Sequence, residues 1–319
     1  MVFRVSESTI FDQALRSTRL NRFALHELQS KISSGKRVTS LGDDPGAATE
    51  ILGLRRGLSR LEIFERNIQG ARTNLEHSEA ALSSLTDVLS RLRELAVSAD
   101  IEEGEFDKIK PEVEQLFDEV LRIANTEIAG RFLFGGFDTQ SLPFTKVGSF
   151  VDGVVNTSSP PEPYAQYGGD NGVLQIQIGE SSTVDASVTG RVIFFGSNDG
   201  DDTPDTGRVD IFDVIRDLRN RLEDPTTVGP PADTTARLDS ALDQVLAVRG
   251  RLGATLNRLD IAETQLANLK VSLETQRSAV EDLDLISAAT ELANRENTFQ
   301  ASLSVTARVI QPSLLNFLG

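Results

Sequence analysis

Apolar residues recur at helical spacing from both ends of this chain toward its middle. Phe11, Ala14, Thr18, Leu25, Leu28 and Ile32 follow a three-four spacing with polar Asn21 in the open seam position, which predicts a helix with one narrow apolar stripe. Such a helix is marginal alone in water and needs another helix to cover it. Ser34-Gly35 then reads as a helix stop, and Asp44-Pro45 as a cap followed by proline at the first helical position. From Gly46 to Ala99 the pattern strengthens. Leu54, Leu61, Ile68, Leu75, Leu82, Leu89 and Ala96 repeat every seventh residue, with Phe64, Ala71, Ser78, Leu85 and Leu92 between them, a coiled-coil seam. An amphipathic stretch after Pro111, through Val113, Leu116, Val120 and Ile123 to Ile128, predicts a further helix that stops at Gly130.

The pattern changes over 131–208, which is rich in Gly, Pro, Asp, Ser and Thr and carries short β-like runs at Phe132–Phe134, Val173–Ile178 and Arg191–Phe195. Helical periodicity returns over Val209–Leu222. After the Asp224-Pro225 and Pro230-Pro231 breaks it continues from Ala232 nearly to the end. Val245, Val248, Leu252, Thr255, Leu259, Ala262, Leu266, Leu269, Leu273, Gln276, Val280 and Leu283 form a second long seam. Leu285, Ala289, Leu292, Phe299, Leu303, Thr306 and Ile310 close the chain. The expected fold class is therefore mainly α with an inserted β domain (α+β). Terminal helices occupy 1–45 and 274–319, a helical rod 46–130 and 209–273, and a β-rich domain 131–208. Neither seam buries itself alone, so the simplest arrangement pairs N-terminal with C-terminal helices.

Charge supports that pairing. Residues 1–40 hold seven bases and three acids, while 280–319 hold five acids and two bases. Each exposed pair adds only about 0.2–1 kcal/mol. The insert is acidic, with ten acids against three bases over 138–208, and reads as solvated. The whole chain of 319 residues has a formal net charge of -16, which argues against nucleic acid as a partner. No window is apolar enough to span a bilayer, so membrane insertion is not expected, and Met1–Ile10 lacks the basic start and apolar core of a cleaved signal peptide.

Candidate chemistry is sparse. Cysteine is absent and only His26 and His77 are present, which excludes thiolate zinc sites and histidine-rich metal centres. Gly35-Lys36 falls short of a phosphate-binding loop, because the pattern needs Gly at Ser30 and Ser or Thr at Arg37. Counted from Asp199, the glycine of a calcium loop falls on Pro204 and its closing Glu on Asp210, so the acidic run 198–205 reads as a solvated turn. No catalytic residue, cofactor site or metal site is expected, and enzyme activity is not.

Two motifs carry a resemblance. Leu28-Gln29-Ser30-Lys31-Ile32-Ser33-Ser34-Gly35-Lys36-Arg37-Val38 followed by Asp43-Asp44-Pro45-Gly46-Ala47-Ala48 resembles the N-terminal signature of flagellins and of the flagellar hook-filament junction family, hook-associated protein 3. The Asp-Asp-Pro turn favours the junction family over flagellin. Gly130-Arg131-Phe132-Leu133-Phe134-Gly135-Gly136 and Phe299-Gln300-Ala301-Ser302-Leu303 leading to Ser313-Leu314-Leu315-Asn316-Phe317-Leu318 agree with it. Leu285 stands where that family often has an aromatic residue. The resemblance covers both ends and the entry to the insert.

What the resemblance implies is a flagellin-like rod of coiled-coil helices and a structural subunit joining the hook-associated zone to the filament. It also implies passage through the flagellar type III system and an extracellular place in the flagellum. The implied partners are copies of itself in a ring, the preceding hook-associated protein, flagellin and a cytoplasmic export chaperone. The expected assembly interface comprises Leu25, Leu28, Ile32, Gly35, Lys36, Arg37, Asp43, Asp44, Pro45, Leu285, Leu292, Phe299, Leu303, Ile310, Leu314, Leu315 and Phe317. The alternatives are a flagellin, or a cytoplasmic coiled-coil binding module.

Overall fold

A computed structural model describes residues 7–101, 106–148, 150, 165–198, 203–224 and 231–318. Six helices frame it: α1 (Glu7–Ser34), α2 (Pro45–Ile101), α3 (Phe106–Ala124), α4 (Ile211–Glu223), α5 (Pro231–Glu281) and α6 (Leu285–Leu318). Between α3 and α4 lie three two-stranded antiparallel sheets. They pair β1 (Glu127–Ile128) with β2 (Arg131–Phe132), β3 (Phe144–Lys146) with β4 (Ala165–Tyr167), and β5 (Gln175–Gly179) with β6 (Ser182–Asp185). The fold is thus mainly helical with a small inserted β part. The acidic run at 199–202 lies outside the described residues. The chain divides into two compact units, Met1–Leu61 with Ala267–Gly319, and Glu62–Leu266.

In the larger unit the heptad pattern becomes the core. Ile68, Ala71, Leu75, Leu82, Leu85, Leu89 and Leu92 of α2 are all fully buried, as are Val245 and Leu259 of α5. Each of the leucine, isoleucine and valine side chains contributes about 1.5–3 kcal/mol relative to exposure. Even Ser78, a polar seam residue, is buried, and its hydroxyl donates to the Asn74 carbonyl at 2.9 Å. Ion pairs flank the seam: Arg72 reaches Asp260 at 2.6 Å and Glu263 at 2.9 Å, and Arg249 reaches Glu79 at 2.6 Å. α3 packs closely on α4, burying Ile109, Val113, Phe117, Val120 and Ile123 along one face.

The insert shares a core with these helices. Phe144 on β3 lies 5.0 Å from Phe194, 5.0 Å from Tyr167 and 5.6 Å from Phe212 of α4. Phe117 of α3 meets Phe212 at 5.6 Å. The Tyr167 hydroxyl lies within hydrogen-bond distance of the carbonyls of Phe134 (2.9 Å) and Asp170 (2.8 Å). One expected strand is corrected here: Arg191–Phe195 is a π-helical turn, closed by left-handed Gly196. Ile193, Phe194 and Phe195 are all buried. A strand points alternate residues to opposite faces and cannot bury three in succession on one side, whereas a tight turn of helix can.

α4 begins at a buried acid. The Asp210 carboxylate accepts from the backbone N–H of Phe212 (2.8 Å) and Asp213 (3.2 Å), which caps the helix. Burial pushes its pKa up to about 8, with the nearby Asp213 carboxylate adding to the shift. Burial raises Asp213 as well. The folded chain therefore holds protons that the unfolded chain releases near pH 3.8, and stability falls as pH rises toward 8. We expect the urea midpoint to be lower at pH 8.5 than at pH 5.5, and Asp210→Asn, which keeps a good cap, to reduce that difference. An equal pH dependence in both proteins would refute this reading.

A candidate assembly surface on the paired terminal helices

In the smaller unit α1 and α6 pack against each other, antiparallel. The Gly35 carbonyl meets the Leu283 N–H at 2.9 Å, and the Thr18 and Thr306 hydroxyls lie 3.3 Å apart. On α1 the covered row is Ala14, Thr18, Asn21, Leu25, Leu28 and Ile32, of which Leu28 is buried and the others half-buried. On α6 the covered row is Ala288, Leu292, Phe299, Ser302 and Thr306. Leu25, Leu28, Ile32, Leu292 and Phe299 are thus brought into one contact.

Leu285 and Leu303 lie elsewhere. They are 55% and 45% exposed, beside Ile286 (82%) and Val305 (58%), while α1 leaves Leu20 (69%) and Phe23 (71%) uncovered. Within one chain, therefore, each helix of the pair keeps large apolar side chains in solvent. Ile310, Leu314, Leu315 and Phe317 belong to α6, but their side chains lie outside the described residues.

The turn after α1 positions the remaining residues. Gly35 ends the helix at φ 69°, in the left-handed region where a side chain is strained. Asp43 accepts from the Thr39 N–H (2.9 Å), the Thr39 hydroxyl (2.8 Å) and the Ser40 N–H (3.0 Å), and the Thr39 bonds above all hold its carboxyl well below the usual range. Asp44 accepts from the Ala47 N–H at 3.0 Å and pairs with Arg37 at 3.3 Å, which lowers it likewise, and Pro45 opens α2. These aspartates are a folded turn and a helix cap. Val38, Ala47, Ala48 and Ile51 form a small core beneath, with Val280 packed against it.

Opposite this turn the chain breaks again, between α5 and α6. The two breaks are joined by a short antiparallel bridge at Lys36 and Asp282. The Arg37 N–H donates to the Glu281 carbonyl at 2.7 Å, and the Arg37 guanidinium donates to the Val280 carbonyl at 2.8 Å. Asp284 caps α6 through the N–H groups of Ile286 (3.0 Å) and Ser287 (3.3 Å).

Glu281 is the residue that sequence reasoning missed. Its side chain is 3% exposed, and Oε1 is met by Lys36 Nζ at 2.5 Å and Arg55 at 2.6 Å, with Arg277 at 3.7 Å from Oε2. Burial pushes its carboxyl up, but the hydrogen bonds from Lys36 and Arg55 outweigh this and hold it below its ordinary value. One signal pointed to it. An acid in the last turn of a helix sits at the unfavourable end of the dipole and needs a cation nearby.

Among the described residues no group of acids and histidines has the arrangement of a metal site, and no helix is long and apolar enough to cross a membrane. Residues 5–139 match the bacterial flagellin N-terminal helical region, and residues 235–318 the bacterial flagellin C-terminal helical region. Flagellar hook-associated protein 3 of Salmonella typhimurium is 24% identical over 315 residues, covering 94% of each chain. The flagellin of Bacillus subtilis is 26% identical over 320 residues, covering 97% of this chain and 96% of its own. The crystal structure of hook-associated protein 3 from Legionella pneumophila shares the fold at 19% identity and a TM-score of 0.57, over 72% of this chain and 98% of that one. With both helical regions of bacterial flagellin present at its two ends, where α1 and α6 pair, the chain belongs to the flagellin family of structural flagellar proteins.

Proposed function

We propose that this protein is a structural subunit of the bacterial flagellum, of the hook-filament junction type, and that it works by assembly and not by catalysis. The observation that carries the reading is the terminal pair. α1 and α6 come from opposite ends of the chain, cover one row of each other, and leave Leu20, Phe23, Leu285, Ile286 and Leu303 in solvent. Isolated exposed leucines are ordinary, but rows of them on two paired helices fit contact with neighbouring subunits. The Asp43-Asp44-Pro45 turn and the relatives named flagellar hook-associated protein 3 favour a junction subunit. Copies of itself, the preceding hook-associated protein and flagellin are the partners this role requires. A flagellar export chaperone and type III export belong to the same proposal, as does an extracellular place in the flagellum. Filament subunit is the second reading, favoured by the flagellin relatives of similar identity.

Electron microscopy of a deletion strain separates the two. Loss of a junction subunit leaves bare hooks with flagellin shed into the medium, whereas loss of the flagellin leaves no filament subunits to shed. Leu303→Asp tests the surface itself. Because Leu303 is 45% exposed in the single chain, the variant should keep its thermal midpoint within about 1 °C, since surface substitutions rarely exceed ±0.5 kcal/mol. On assembly, an unpaired carboxylate buried there costs several kcal/mol, so incorporation into flagella should be lost. Normal incorporation of this variant would remove Leu303 from the interface.

A further inference from the structure

The contact between α1 and α6 is smooth over its far half. In the half away from the turn its facing rows are Ala14, Thr18 and Asn21 on one helix and Ser302 and Thr306 on the other, while the large side chains, Leu25, Leu28, Ile32, Leu292 and Phe299, lie nearer the turn. Small knobs specify register weakly, and the one hydrogen bond seen across the middle, Thr18 to Thr306, is a neutral hydroxyl pair. Register nonetheless decides what the pair presents. A helix advanced by one residue turns through about 100°, which is enough to carry Ala288 out of the contact and Ala289 toward it. The exposed row of Ile286 and Leu303 would turn with it.

The strongest fixed point lies at the end of the pair. The Lys36–Asp282 bridge ties residue 35 to 283 and residue 37 to 281 through two backbone hydrogen bonds of 2.9 and 2.7 Å. The buried Glu281 carboxylate draws Lys36 from the turn and Arg55 from α2 onto the end of α5. Arg55 lies 226 residues away in sequence, so this contact closes the whole chain. Buried as it is, Glu281 cannot lose these cations to water without cost, and charge-assisted bonds at this distance are the strong ones.

We propose that Glu281 is a positioning residue for assembly: by holding the Lys36–Asp282 bridge closed it sets the register at which α6 runs along α1, and so selects which row of α6 faces the next subunit. This rests on the proposed role as an axial subunit. Glu281 itself is buried within the chain, 3% exposed. It acts through the bridge.

The chain contains no cysteine, so disulfide formation reports register directly. In a Thr18→Cys, Thr306→Cys protein, oxidation should close one intramolecular disulfide rapidly. Adding Glu281→Gln, which keeps shape and removes charge, should slow closure by about tenfold or more, with the thermal midpoint of the larger unit unchanged. Glu281→Gln alone should reduce incorporation into flagella at least about tenfold in a deletion strain. Bridged pairs of the Lys36–Asp282 type bring Cα atoms to about 4.5 Å, within disulfide reach. Once oxidised, Lys36→Cys with Asp282→Cys in the Glu281→Gln background should therefore incorporate as well as the same cysteine pair in a protein that keeps Glu281, both lacking Lys36.

An unchanged closure rate in Glu281→Gln overturns the proposal, as does a bridged triple variant that incorporates at least about tenfold less than the bridged pair with Glu281 kept. Failure of the wild-type chain to enter flagella would instead reject the axial-subunit reading, and the closure rate would still decide the role of Glu281 in register.

Discussion

A helix with one narrow apolar stripe has to be covered, because its own hydrogen bonds do not repay the entropy of ordering it. That constraint governs both ends of this chain. The cover for α1 comes from α6, at the far end of the sequence. Everything that makes the return possible follows from it: two helix breaks at the same level, two acidic caps, and a backbone bridge between the breaks. A buried carboxylate then gathers the cations that the bridge brings near. The terminal pair is a non-local contact, and the local residues around the breaks are arranged so that it forms in one way.

The larger unit meets a different need. Its α2 seam buries fully from Leu61 to Ala96, the α5 seam buries Val245, Val248, Leu252, Leu259 and Leu266 with Thr255 and Ala262 half-buried, and the small sheets of the insert do not stand alone. Three two-stranded ribbons have too little apolar face for independent stability, so their aromatic residues pack on α3 and α4. Buried charge collects between α3 and α4. Arg219 is 1% exposed, held by Glu114 at 3.0 Å and Glu223 at 3.2 Å. These groups specify how α4 seats between its neighbours, at a desolvation cost that apolar residues would avoid.

Much of this was legible because a seven-residue repeat states both helix and face. The α2 seam from Leu61 to Ala96 is buried at every position named from the sequence. From Ala14 to Ile32 the α1 stripe, including its polar Asn21, is likewise the face that α6 covers, while the Phe11 side chain lies outside the described residues. α6 was harder. Of the row read from the sequence, Leu292, Phe299 and Thr306 are covered while Leu285, Ala289 and Leu303 are exposed, and Ala288 and Ser302 take the adjoining covered positions, a phase that cannot be told apart without the partner helix. Arg191–Phe195 misled for the related reason that a short apolar run has no period to read. Glu281 was visible only as one of many acids, since its partner Arg55 is specified by the fold and not by any spacing.

The antiparallel return has one more consequence. Continuing the register that sets Thr18 against Thr306 brings the first turn of α1 beside the last turn of α6, so the start and the finish of the folded chain share a single address. A fluorescent label in the first turn of α1 or in the last turn of α6 reports on the same location.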